Sequence, residues 1–216
     1  MSIEIYICEE VENIRRLFNP VLESYPQPQK ITQYLQELIE LMSLGYMKGD
    51  HSLAVLMSNH HPDLIGESSY KIMSEKFIQQ DYQSVILFDH GFSTWAEAED
   101  AGNLNIPFET AVTSLVNGDQ QKLAALLDEH PEIIHQQSSF GHKAGLIHYI
   151  AANGVEIWRQ SVPMNATYLV ELLLEKGADP HQQNNIYGGS SMVSLIESSD
   201  HPNMAGVADD LISLIS

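Results

Sequence analysis

Apolar residues recur along this chain at helical spacing more than at any other. Ile31, Tyr34, Leu35, Leu38, Ile39 and Met42 follow one another at three- and four-residue steps, which predicts an amphipathic helix with Gly45 near its end. Upstream, "VENIRRLFNPVL" sets Val11, Ile14, Leu17 and Phe18 at the same spacing, with Pro20 expected to break or kink the helix. Ile3, Ile5 and Ile7 alternate as in a short strand, and "YPQPQ" (25–29) reads as a turn or linker. "SLAVLM" (52–57) predicts a short helix or buried turn, and "HHPDLIG" (60–66) a loop. Residues 68–80 and 82–89 read as two further helices. Their expected buried faces are Ile72, Met73 and Phe77, then Val85, Ile86 and Phe88.

Punctuation residues divide the chain from Gly91 onward. Gly91 suits a helix end, since a left-handed residue costs least without a Cβ. Thr94 and Glu97 have the spacing of a capping box, and Trp95 is expected to pack into the core. "EDAGNLNIP" (99–107) reads as a connector, which places a boundary between residues 1–103 and residues 104–216. Beyond it, Phe108, Ala111, Val112 and Leu115 mark one helix and Leu123, Leu126 and Leu127 a second. The tight "NGD" turn (117–119) between them predicts an αα-hairpin.

The same unit recurs. "IHYIAANG" (147–154) and "LVELLLEKGAD" (169–179) have the internal spacing of a short helix, a glycine turn and a leucine-rich helix. "YGGSSMVSLIE" (187–197) with "GVADDLISLIS" (206–216) is a weaker third copy. On these residues the chain resembles the ankyrin-repeat family, and in particular a bacterial subset in which a helical N-terminal region precedes degenerate repeats. The likeness covers roughly residues 60–216 and includes "HGFSTW", "FGHKAGLIHYIAANGVEIWRQ" and "SSDHPNMAG". It implies an all-α fold: a helical region followed by a stack of about three repeats. His148 falls where the family has the histidine of its Thr-Pro-Leu-His element, although Gly145 and Leu146 replace the Thr and Pro. The resemblance assigns that histidine to backbone bonds between neighbouring loop fingers.

The stack also explains the abrupt stop after Leu172, Leu173 and Leu174. A helix sandwiched between repeats buries leucines on two sides, and its chain must then reverse into the next finger. Gly177 can take the positive φ this needs, and Asp179 can bond the finger backbone. Two departures from the family pattern stand out. About 11 extra residues fall within "VEIWRQSVPMNA" (155–166), and the last helix has no polar closing repeat. The second leaves room for a homodimer through an exposed C-terminal repeat.

Composition narrows function. Apolar residues make up 44% of 216, which is a globular balance. Ten Lys and Arg against 29 Asp and Glu give a net charge of −19, which disfavours nucleic acid and anionic membranes and favours a basic partner. The one cysteine, Cys8, permits no internal disulfide, and no secretory or membrane-spanning pattern is visible, so a cytoplasmic location is expected.

Candidate chemistry is sparse. His60 and His61 are adjacent and point apart, and His51 is remote, so no metal site is expected. No nucleophile elbow and no phosphate loop occurs, and no cofactor is expected. Ankyrin arrays bind proteins through their fingers and are not enzymes. Carried over, this implies fingers at 136–144 and 181–189 with the 155–166 insertion beside them. Phe140, His142, Trp158, Arg159 and Tyr187 are then the expected partner contacts, being largely of the types that dominate interface energy. The sharper form of this expectation is an immunity-type inhibitor that masks a basic protein. The alternative is a small-ligand site or enzyme built on Glu156, Arg159, Tyr187 and His201.

Overall fold

The computed structural model describes residues 3–216, and those residues are mainly helical. The first part runs through β1 (Ile5–Tyr6), α1 (Glu9–Leu22), α2 (Ile31–Met47), α3 (Leu53–His60), α4 (Ser69–Ser74), α5 (Gln79–Asp89) and α6 (Trp95–Asp100). The second contains α7 (Ile106–Val116), α8 (Gln120–Glu129), β2 (Val162–Pro163), α9 (Ala166–Glu175), α10 (Met192–Glu197), α11 (Asp200–Met204) and α12 (Ala208–Ile215). Four short 3-10 turns lie between these, at Pro131–His135, Leu146–Ala151, Ile157–Arg159 and Ile186–Gly188.

Hydrophobic burial forms two clusters. One draws on residues from Val11 to Leu104, together with Phe140, Ile157 and Trp158. The other spans Phe108 to Ile215. In the second, α7 packs on α8 and on the Leu146–Ala151 turn, α9 covers that turn, and α12 lies against α9 and α10. The first helix expected at 147–154 is thus a 3-10 turn.

Several local expectations are met with a visible cause. Thr94 Oγ1 accepts from the Glu97 amide at 3.2 Å, and Glu97 reaches back to the Ser93 amide at 2.8 Å. Helix α9 stops as its letters suggest. Gly177 has φ +94°, the Ala178 amide donates to the Leu173 carbonyl, and the Gly177 amide donates to Leu174, which together form a Schellman close. Asp179 Oδ1 then accepts from the His181 amide at 2.8 Å. His148 Nδ1 accepts from the Gly145 amide at the start of its own 3-10 turn, and its Nε2 lies 3.0 Å from the Asn184 side chain in the 181–189 loop. One contact is therefore local to its own turn and the other is to a side chain, rather than both being backbone bonds between fingers. Burial holds the His148 imidazole down to about 4, so it stays neutral.

Other expectations are corrected. Pro20 does not end α1, because it sits on the exposed side of the last turn, where the carbonyl it leaves unpaired can meet water. Gly45, by contrast, does lie near the end of α2, in its last turn, where it faces Leu17 of α1. The 68–80 helix stops at Ser74, and α5 starts at Gln79, where the Asp81 side chain accepts from the Ile78 amide at 2.7 Å. Phe88 falls off the buried stripe of α5, which runs Tyr82, Val85, Ile86, Asp89, and it is 61% exposed.

The strand reading near Ile3–Ile7 is realised only at Ile5 and Tyr6. They pair antiparallel with Pro163 and Val162, both inside the 155–166 insertion. Arg15 of α1 adds bonds to the Trp158 carbonyl at 2.7 Å and to Ser161 Oγ at 3.0 Å. The insertion is therefore packed inward against the first part of the chain. No helix among the described residues is long and apolar enough to cross a membrane.

Candidate functional site

The insertion folds around a buried cation. Arg159 ends a 3-10 turn, and the turn's three-residue reach brings its Nη1 to 3.0 Å from Glu156 Oε1. Its Nη2 lies 2.7 Å from Glu109 Oε2 on α7, but off the line of its N–H bonds, so that contact is an ion pair rather than a good hydrogen bond. All three side chains are 0% exposed. The guanidinium also sits over the rings of Trp158, Tyr25 and Tyr149 at 4.6, 5.0 and 5.4 Å. Tyr25 donates to Glu109 Oε2 at 2.7 Å, and His142 Nε2 lies 3.6 Å from Glu156 Oε2.

Electrostatics keep Glu156 and Arg159 charged although both are buried. Burial opposes the Glu156 charge, but Arg159, His142 and His90 outweigh it and hold the carboxyl at about 2. Burial likewise disfavours the Arg159 cation, and Tyr25, Glu109 and Glu156 more than compensate. Burial pushes the Tyr25, Tyr34 and Tyr149 hydroxyls well above the phenol range. Arg159, Glu109 and Glu156 are sealed from the surface. The cluster ties α7, the insertion and the loop after α1 together.

Four of the five expected partner contacts lie inside the molecule. Phe140 stacks on Tyr34 at 5.9 Å and meets His90 edge-on at 4.8 Å. His142 is buried, its Nδ1 accepting from the Ala144 amide at 3.0 Å. Trp158 packs edge-on against Tyr25 at 5.3 Å, and Arg159 is sealed between its two carboxylates. Side chains held this way offer a partner little surface, and His142 and Trp158 reach only the linings of hollows. Tyr187 differs: it is 70% exposed, takes φ +46°, and its hydroxyl donates to Asn153 Oδ1 at 3.0 Å.

The alternative set does not converge on one cavity. Glu156 and Arg159 are sealed together, Tyr187 borders a hollow near α5, and His201 borders a separate groove along α1 and α3. Sequence reasoning also missed Glu109, Asp89 and Tyr25. A weak signal existed for two of them. Glu109 adjoins Phe108 and stands three residues before Val112 on the α7 face, and Asp89 continues the α5 stripe at i+3 from Ile86.

The two loops expected as fingers, 136–144 and 181–189, join their neighbours through backbone. The Gly141 amide donates to the His90 carbonyl at 2.9 Å, and the Gly91 and Gly141 backbones press together so closely that a methyl on either would overlap the other. The second finger is tied to the first by Asn185, whose amide donates to the His142 carbonyl at 2.8 Å and whose side chain donates to the Gly141 carbonyl at 3.0 Å. Gln182 adds a bond to the His135 carbonyl at 3.0 Å, and Gln137 bonds the Gln183 carbonyl. Between the fingers runs a groove of 550 Å³, lined by Gln137, Lys143, Gln183, Asn184, Ser190 and Ser191 among others. Among the described residues no cluster of three or more metal-ligating side chains occurs.

No protein-family model matches the chain, and neither a curated protein nor a solved structure shows significant similarity to it.

Proposed function

We propose that this protein is a non-enzymatic, cytoplasmic protein-binding module of ankyrin-like architecture. In this reading residues 104–216 form the repeat stack, and residues 1–103 are a helical region that braces it. The observation that carries the reading is the 550 Å³ groove between the fingers, walled mainly by amides and hydroxyls together with Lys143, His148 and His181, beside the exposed Tyr187. Amide side chains donate and accept at once, which suits the peptide backbone and polar side chains of a protein. Tyrosine adds rigid contact area at little entropic cost. The surface is narrower than the sequence alone suggests, because the 155–166 insertion faces inward and only Met164 within it is exposed.

The net charge of −19 favours a basic partner, and masking such a partner, as an immunity-type inhibitor does, is the specific form of the proposal. The test is a photo-crosslinking probe placed at Gln183 in the intact chain, compared with the same probe at the exposed Met47, in lysate of the organism that makes the protein. A protein adduct from Gln183 and none from Met47 is the expected result. Equal adducts from both positions, or none from Gln183, would contradict it. For the basic partner so trapped, the association rate should fall steeply with added salt.

A further inference from the structure

A second hollow, of 270 Å³, opens beside the finger groove where α5 meets the second finger. It lies just under the size usual for small-molecule pockets, about 300–1,000 Å³, and so suits a single side chain. Phe88 and Tyr187 are exposed among its lining residues, while Phe92, Ile186 and Val155 are buried. His60 continues the aromatic wall, its ring 5.5 Å from that of Phe88. Gly154 leaves the room that Tyr187 and Ile186 occupy, since a Cβ there would meet both.

Asp89 also lines this hollow, and its side chain is 1% exposed. Its Oδ1 accepts from the Ile157 amide at 3.1 Å and lies 3.1 Å from His60 Nε2. Its Oδ2 has no hydrogen-bond partner among the described residues. The nearest candidate, His90 Nδ1, is 3.6 Å away and lies 2.9 Å from the Ile86 carbonyl, to which its proton is directed. No lysine or arginine lines the hollow; its only basic side chains are the imidazoles of His60 and His142, so Asp89 is the one full charge in it above the ordinary imidazole range. An under-bonded carboxylate behind aromatic faces is the environment that recognises an organic cation, because ring faces and carboxylate both attract positive charge.

We propose that this hollow receives the guanidinium or ammonium group of an arginine or lysine presented by a basic protein partner. The proposal rests on the partner-binding reading of the finger face, with which the hollow is continuous through Asn185 and Gly188. The acidic balance of the chain brings such a partner in, and the hollow gives it one anchoring side chain.

The test uses the full chain and two short synthetic probes, acetyl-Gly-Arg-Gly amide and its citrulline counterpart, which has nearly the same shape without the charge. Binding is followed by backbone amide signals in nuclear magnetic resonance at pH 8, above the ordinary imidazole range. The arginine probe should give saturable shifts at Gly91, Gly154 and Gly188, and the citrulline probe should give none. Phe88→Ala and Tyr187→Ala alter exposed side chains and should each weaken arginine binding about two- to five-fold. Equal shifts from both probes, shifts that avoid these glycines, or unchanged affinity in both variants would overturn the proposal. Crosslinking from Gln183 reports the finger face separately, so failure of the cation site and failure of the partner-binding reading are distinguishable.

Discussion

The two fingers carry similar letters and meet opposite fates. The first, 136–144, turns Phe140 and His142 into the molecule, against Tyr34, His90 and Tyr149. The second, 181–189, holds Tyr187 out in water. The cause lies in what stands beside each finger. The helical region presses on the first through the Gly91–Gly141 contact, and the insertion fills the space behind it. The second finger lies one step further along and meets the first finger instead. Aromatic and arginine side chains near a finger therefore do not identify a binding face, since a neighbouring element can recruit the same residue types for packing.

The sharpest way to break this contrast is at Arg159. Arg159→Leu would leave Glu109 and Glu156 buried without their cation, and should cost about 3–5 kcal/mol of unfolding free energy in urea. A loss below about 1 kcal/mol would mean that the cluster is not what holds the insertion inward. The same cluster predicts acid sensitivity. The folded Glu156 carboxyl sits at about 2, below the ordinary glutamate value of 4.5, so its contribution is full above pH ~4.5 and is lost as pH falls toward 2. Glu156→Gln should flatten that part of the stability profile.

Gly141→Ala comes next. Its methyl would overlap the Gly91 carbonyl, which is backbone and cannot swing aside, so a loss of about 1–3 kcal/mol or more is expected in the same unfolding measurement. A smaller effect is expected for Gly177→Leu. The space there is open to an ordinary contact with His135, and only the left-handed backbone is strained, for a loss of about 1–2 kcal/mol by thermal unfolding.

Much of the fold was legible because it is written in local periods and caps. The stripes of α2 and of the α7–α8 pair, the Thr94–Glu97 cap and the Gly177 stop each depend on residues within a few positions of one another. The candidate site was less legible because it is assembled over long separations. Tyr25 reaches Glu109, and Asp89 meets Ile157, through contacts that no periodicity encodes. The insertion shows the same limit. Its letters identify Trp158 and Arg159 as energetic residues, but only packing against α1 and α7 decides that they face inward.

The most direct test sets one aromatic from each finger side by side. Urea unfolding of Phe140→Ala and Tyr187→Ala should separate them widely. The expected loss is about 3–5 kcal/mol for Phe140→Ala, a core truncation, against a change within about 0.5 kcal/mol for Tyr187→Ala, at the surface. Similar costs for the two variants would contradict the division into a buried inner finger and a free outer one.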